Sequence, residues 1–447
     1  MQRADNAVRD FFLAPAGRGI RVCLCVIMLM AGVMIFLLKN FALADTGALR
    51  IGTAALFALP YALMLLFLFR AHPDGSPVIL MMGGAVCLLS MLLRLCFIDR
   101  NTGDFEYYLN DWMRALSGQS FSASMRMQVG EYHVLYQYIL FLLTRLPLPW
   151  LYSVKAVSFI GDAFLAGAAF RMLRKDGEET NDSRALLVLL LPAVVLNGGM
   201  FAQCDSLYTA SLIWGLAFIL EGRSGRGMAC MGLAVCFKLQ AVFLFPLLPL
   251  LWLGRKIRLQ DLLVFCAAVL VVQLPAVIGG KHPSELVSIY TGQAAMYTNL
   301  NYGAPNLWAL IVSTGLDAYA YGTFGIALAL GLCLLVLGGA LGKLNGYTRS
   351  DWTGTAALIV LICVFCLPRM HERYIYAAEL LTCIYALRVP RALPAALSVS
   401  LAGLGSLLMT EIPLWGYSLL MLFAAAYLVM MLFGKPSAGV RSGTSGA

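Results

Sequence analysis

The chain has 447 residues, 61% of them hydrophobic and 12% charged, with a formal net charge of +9 and a mean hydropathy of +0.81. An average soluble domain is roughly 45–50% apolar and 25% charged, so the composition excludes a soluble enzyme and describes a polytopic membrane protein. The excess of Lys and Arg does not mark a nucleic-acid binder, because these residues sit at the ends of apolar segments rather than in one patch, as membrane topology requires.

Apolar stretches of roughly 17–25 residues recur along the chain, each long enough to cross a hydrocarbon core of about 30 Å, and they predict an all-α bundle of about 12–13 transmembrane helices. Alternating strands suited to an outer-membrane barrel are absent. The helices form one integral domain over residues 1–435, followed by a flexible cytoplasmic tail at 436–447.

The first segment has Arg3, Arg9, Arg18 and Arg21, an apolar run from Val22 to Leu38, and Ala42-Leu-Ala44. It resembles a signal peptide, but the run exceeds the usual ~7–15 residues and Lys39 separates it from Ala42, so an uncleaved first helix is expected. Helices are predicted at 20–39, 51–70 and 77–97. With the amino terminus in the cytoplasm, the loop after Arg100, about 98–133, faces the exterior. Within it, Phe105, Tyr108, Leu109, Trp112 and Leu116 recur at spacings of three and four, the pattern of an amphipathic helix lying on the membrane surface.

Further spans are predicted at 134–150, 154–173, 184–200, 206–221, 227–252, 261–279, 319–342, 353–367, 374–388, 392–410 and 414–433, with a second exterior loop at about 280–306. Basic clusters at Arg223 and Arg226, at Arg255, Lys256 and Arg258, at Arg388 and Arg391, and at Lys435 and Arg441 are assigned to the cytoplasm, and Pro368 to Tyr374 to the exterior. The count gives conflicting sides for Arg171 to Arg184 unless a segment within 134–200 or 227–252 does not cross simply. Pro147, Pro149, Gly198, Gly199 and Pro246 permit such a broken or re-entrant helix.

The twelve cysteines lie mostly in apolar segments, among them Cys23, Cys25, Cys87, Cys333, Cys363, Cys366 and Cys383, where they act as small hydrophobes. Cys363 and Cys366 form a C-x-x-C without the soluble βαβ setting of a redox motif. His72, His133, His282 and His371 are scattered and form no metal-ligand cluster.

Polar residues inside this framework carry the chemistry. Asp104 has two accounts: a general base accepting the proton of an attacking hydroxyl, or a helix cap stabilising free N–H groups. Asp205, in Gln203-Cys-Asp205, is likewise a cap or a ligand-facing acid. Lys238 and Gln240 lie deep in an apolar stretch, through snorkelling, a buried pairing or a functional role. Arg369, His371, Glu372 and Arg373 gather at the mouth of a helix, either as anchors to lipid head groups or as a phosphate site, for which the planar guanidinium fork is suited.

The runs Asp104-Phe-Glu-Tyr-Tyr-Leu-Asn-Asp-Trp112, Ala202-Gln-Cys-Asp-Ser-Leu-Tyr208, Phe237-Lys-Leu-Gln240, Pro305-Asn-Leu-Trp308 and Leu367-Pro-Arg-Met-His-Glu-Arg-Tyr374, in this order, resemble membrane glycosyltransferases of the GT-C type. They are most similar to bacterial relatives of the PIG-V-like mannosyltransferases of GPI-anchor synthesis. The resemblance implies a GT-C-like bundle that transfers a mannose-like hexose from a polyprenyl-phosphate donor to an acceptor hydroxyl outside the membrane. By this likeness Asp104 is the base; Arg373, His371 and Arg369 bind the donor phosphate with help from Lys238; Gln203, Asp205, Glu372 and Gln240 line the sugar or acceptor side; and Tyr107, Tyr108 and Trp112 offer aromatic faces. The chain departs from the simplest pattern in placing about three spans before Asp104, and in having Ala202 where many relatives carry Trp or Gly.

The expectation is an inverting, metal-independent transfer without a cofactor, by a monomer or small homo-oligomer embedded in the bilayer. The acceptor is a glycan, lipid or protein. No nucleotide-binding G-x-x-x-x-G-K-[ST] loop is present. The alternatives are a lipid or glycan transporter or flippase, which the absence of similarity between the halves disfavours, and a surface-polysaccharide polymerase or ligase.

Overall fold

The computed structural model describes residues 12–40, 47–130, 132–174, 182–296, 299–311 and 318–434. Arg3, Arg9, Ala42-Leu-Ala44, Lys435, Arg441 and the tail at 436–447 lie outside the described residues. The protein is an all-α polytopic membrane protein, in which 8 helices among the described residues are long and apolar enough to cross a membrane. This is fewer than the full spans expected, because several apolar segments fold as short or broken legs.

The chain begins with α1 (Arg18–Asn40), α2 (Gly47–Ala71) and α3 (Pro77–Leu95). Ser76 caps α3 by accepting from the Ile79 N–H, and Pro77 occupies the first turn, where an N–H would have no intrahelical partner. A long loop carries a turn of π-helix at Phe105–Leu109, α4 (Asn110–Leu116) and α5 (Phe121–Arg126), and leads to α6 (Val134–Leu143). Then come α7 (Trp150–Leu173), a broken leg made of a 3₁₀ stretch at Ser183–Leu190 and α8 (Pro192–Gly199), α9 (Asp205–Leu220) and α10 (Ser224–Phe237). A second broken leg joins a 3₁₀ stretch at Leu239–Leu247 to α11 (Leu248–Leu253), before α12 (Asp261–Ile278). The second loop contains α13 (Pro283–Met296), the strand β1 (Asn301–Tyr302) and α14 (Leu307–Ile311). It is followed by α15 (Ala318–Leu341), α16 (Arg349–Cys366), β2 (Met370–His371), a 3₁₀ turn at Glu372–Ile375, α17 (Tyr376–Arg388), α18 (Leu393–Leu407) and α19 (Leu414–Phe433).

Two of the predicted spans need correction, and together they remove the conflict over Arg171 to Arg184. The span expected at 134–150 contains only the 10 residues of α6, about 15 Å of rise, and it does not cross. Asp99, just after α3, accepts from the Tyr152 hydroxyl at 2.7 Å, and Lys155 donates to the carbonyls of Phe97, Ile98 and Arg100. The chain therefore enters α7 at the end of the bundle where it left α3. The span expected at 227–252 turns back on itself at Lys238, whose backbone is extended at φ −155° and ψ 137°. Lys238 meets the start of α9 through Asp205, whereas Gly254, beyond α11, lies against Trp352 near the start of α16.

With these turns, the basic clusters collect at one end. Arg171 pairs with Glu221 at 2.5 Å, Arg349 donates to the Arg171 carbonyl at 2.8 Å and Arg388 to that of Met172 at 2.9 Å. Arg21 donates to the Phe69 and His72 carbonyls, and His72 lies 3.0 Å from Ser183 Oγ. The Asp104 loop and the 368–374 segment lie at the opposite end.

The helix predicted to lie on the membrane surface instead packs on protein. Phe105, Leu109, Met113 and Leu116 are buried with Tyr136 and Leu140 of α6 and Val154 of α7, so its apolar stripe is the underside of a lid over the bundle. Deeper in the bundle, Arg94 is fully buried against Asp162 at 2.8 Å and donates to the Ser90 and Leu189 carbonyls.

A membrane-impermeant maleimide tests the corrected path. In a cysteine-free background sealed in vesicles, single cysteines at Ser117 and Leu146 should label from one side and one at Gly222 from the other; labelling of Leu146 together with Gly222 would mean that α6 crosses.

Candidate functional site

Segments far apart in the chain converge on a cavity of about 500 Å³, whose lining includes Asp104, Tyr108 and Trp112 from the first loop, Tyr132 and His133 before α6, Gln203, Phe237 to Gln240, Tyr290, Tyr302 and His371 to Tyr374. Asp104 immediately precedes the π-turn and makes no side-chain cap. Its carboxylate instead pairs with Arg373 and accepts from Gln203 Nε2 at 3.2 Å, both through Oδ2. The capping account of Asp104 fails, and a π-turn beside a functional side chain is a common pairing.

Gln203 is fixed from several directions. The Tyr132 hydroxyl donates to its Oε1 at 3.1 Å, its N–H donates to the Asn197 carbonyl, and Ser158 Oγ donates to its own carbonyl at 2.5 Å. Ala202, directly before it, has φ +54°, a left-handed conformation that costs a non-glycine residue about 1–3 kcal/mol and persists only where surrounding contacts impose it. Asp205 is not a cap either. It is almost fully buried, and its carboxylate accepts from Asn197 Nδ2 at 2.7 Å and pairs with Lys238. Of the accounts open for Lys238, buried pairing holds, with the ammonium also 5.3 Å from the Tyr374 ring.

The 368–374 segment is held by the second loop. β1 and β2 pair in parallel, Asn301 opposite Met370 and Tyr302 opposite His371, and the Arg369 N–H donates to the Leu300 carbonyl at 2.7 Å. Asn306 Oδ1 accepts from the N–H groups of Trp308 and Ala309, and Trp308 Nε1 donates to the Cys366 carbonyl at 2.9 Å. Gly303, beside Glu372, has φ +90°, a conformation that glycine adopts without the penalty a Cβ would bring. Arg369 itself is left-handed at φ +64°, so strain precedes this half of the site as it does Gln203. The Tyr302 ring stacks on His371 at 4.9 Å.

Charge is balanced within the cavity. Arg373 touches Asp104 through Nη1 and lies 3.6 Å from Glu372 through Nε. Burial, with Arg373 and then Lys238 nearby, pushes the His371 imidazole down to about 4, so it is uncharged at neutral pH and stacks on Tyr302 as a neutral ring. Burial raises the Glu372 carboxyl above its usual range, partly offset by Arg373.

Of the residues singled out in the sequence, the structure gathers Asp104, Tyr108, Trp112, Gln203, Lys238, Gln240, His371, Glu372 and Arg373 around the cavity, with Asp205 behind Lys238. Tyr107 is 70% exposed and points away, and Arg369 does not line the cavity. Asp111, seven residues beyond Asp104, faces solvent and pairs with Arg114 at 3.4 Å. Sequence reasoning missed Tyr132, His133, Tyr290, Tyr302 and Asn197. The aromatics sit singly in a loop, the short helix α13 and the two-residue strand β1, where no period marks them, and only the Asn-Gly-Gly run before Gln203 offered a signal. No protein-family model matches the chain, and no curated protein matches it.

Two measurements follow from these contacts. Lys238→Met leaves the Asp205 carboxylate buried and should cost about 3–5 kcal/mol of stability, while Lys238→Met with Asp205→Leu should recover most of it; thermal unfolding in detergent reads both. His371 takes up a proton on unfolding between pH 6.5 and about 4, so acid favours the unfolded chain across that window. Wild-type stability should be fully present above pH 6.5 and fall relative to His371→Gln as pH drops towards 4.

Proposed function

We infer that the protein is a GT-C-type membrane glycosyltransferase that moves a mannose-like hexose from a polyprenyl-phosphate donor to an acceptor hydroxyl, with inversion. One observation carries this reading: Asp104 and Arg373, 269 residues apart, line a single cavity that also presents Tyr108, Trp112, Tyr132, Tyr302 and Tyr374. A carboxylate, a guanidinium and flat apolar faces in one recess match a proton to be removed, a phosphate to be held and a sugar ring to be stacked.

In the proposed reaction the acceptor oxygen attacks the anomeric carbon as Asp104 takes its proton. The bond from that carbon to the phosphate oxygen breaks, and polyprenyl phosphate leaves with the electron pair. The leaving phosphate gains negative charge, and Arg373 stabilises it where it develops, with Lys238 close by. His371 contributes a neutral imidazole to the same wall, and the reaction uses no divalent metal. The proposed setting is a bacterial cytoplasmic membrane, with the amino terminus and the basic end of the bundle in the cytoplasm and the cavity facing the exterior.

Purified protein in nanodiscs with radiolabelled polyprenyl-phosphate mannose and a panel of glycan and glycolipid acceptors tests the reading. Product should form without any ion gradient, which a transporter would not achieve. Asp104→Asn should lower transfer about 10³-fold or more, and Arg373→Ala should weaken donor binding. Near wild-type turnover in Asp104→Asn removes it as the base.

A further inference from the structure

The charge pairing in the cavity goes beyond the roles just given, and the following rests on the glycosyltransferase reading of that cavity. Among the described residues that line it, the Lys and Arg side chains are Lys238 and Arg373. Lys238 is held by Asp205, and Arg373 lies between Asp104 and Glu372. An arriving phosphate therefore meets no cation without a carboxylate already on it. Glu372 approaches Arg373 through Nε, whereas Asp104 occupies Nη1, one of the outer nitrogens of the fork through which guanidinium groups bind phosphate bidentately. The same Asp104 oxygen, Oδ2, also accepts from Gln203, so both contacts fall on one oxygen and the Arg373 charge is set against the carboxylate before any acceptor arrives.

We propose that the Asp104–Arg373 ion pair is a resting lock: the donor phosphate displaces Asp104 from Arg373, and that exchange frees the carboxylate to receive the acceptor proton. Partners change without any covalent step. Glu372 keeps Arg373 in place from behind, and Gln203, fixed by Tyr132 and Ser158, keeps the released carboxylate aimed into the cavity. Donor binding then precedes acceptor binding, and the base becomes available only after the leaving group has been clamped. Asp104 thus opposes donor binding while serving the chemistry.

This predicts that losing the base tightens the donor site. Equilibrium binding of a fluorescent polyprenyl monophosphate to the full-length protein in nanodiscs is the measurement, with thermal unfolding as the check on folding. Asp104→Asn should bind about tenfold more tightly than wild type, the gain expected when one partner of a partly buried pair stops competing. Asp104→Glu, which can re-form the pair, should bind like wild type. Glu106→Gln removes an exposed charge nearby without touching Arg373 and should change affinity by less than about twofold. In an Arg373→Gln background, Asp104→Asn should give no gain. Equal or weaker binding by folded Asp104→Asn, or the same gain without Arg373, overturns the lock and leaves the glycosyltransferase reading standing. Failure of wild type and all variants to bind the lipid phosphate overturns both.

Discussion

Withdrawing a charge from water is the constraint around which this bundle is organised. An isolated ion in a low-dielectric interior carries a desolvation cost of several kcal/mol, which only an opposite charge or several hydrogen bonds can offset. The chain meets the requirement in layers. At the middle, Arg94 spreads its charge over Asp162 and two carbonyls. Nearer the cavity Lys238 is tied to Asp205, and at its wall Arg373 is shared between Asp104 and Glu372. Pairing loosens towards the wall: the Asp205 side chain is 1% exposed, that of Asp104 30%. Only the outer pair retains enough access to exchange partners with a ligand.

Backbone strain and strand pairing place these charges. Left-handed Ala202 and Arg369 each introduce a sharp change of direction just before a site segment. Each is held by contacts made elsewhere, by Asn197 and Ser158 in one case and by Leu300 and β1 in the other. The second loop thus serves as a brace, its parallel pairing setting His371 under Tyr302 two residues before Arg373.

Much of the fold was legible in the sequence because apolar length is a direct record of membrane crossing; α12 and α19 fall within a residue of their predicted bounds. The failures share one cause. Length and hydropathy do not report direction, so α6 read as a span and the segment turning at Lys238 read as one helix rather than two legs. The lid over 105–116 was misplaced for a related reason, since an apolar stripe looks the same whether it meets lipid or Tyr136 and Leu140. In the site, rare charged residues in apolar surroundings stood out, which is why Asp104, Asp205, Lys238 and Arg373 were visible. Tyr132, Tyr290 and Tyr302 were not, because a single aromatic residue in a loop, a short helix or a two-residue strand carries no periodic signal and gains its place only from the fold.

The turn at Lys238 also sets the depth of the cavity. α10 has 14 residues and α17 has 13, which rise only about 20 Å, while α7 has 24 residues and rises about 36 Å. All three reach the basic end together, through Arg171, Glu221 and Arg388, so the shortfall appears wholly at the other end. α12 packs along α10 and, with 18 residues against 14, runs past its end at Phe237. The result is a cavity floor set below the end of the helix beside it. On the proposed function, the head of a lipid-anchored substrate reaches such a floor beside α12 without being lifted out of the bilayer.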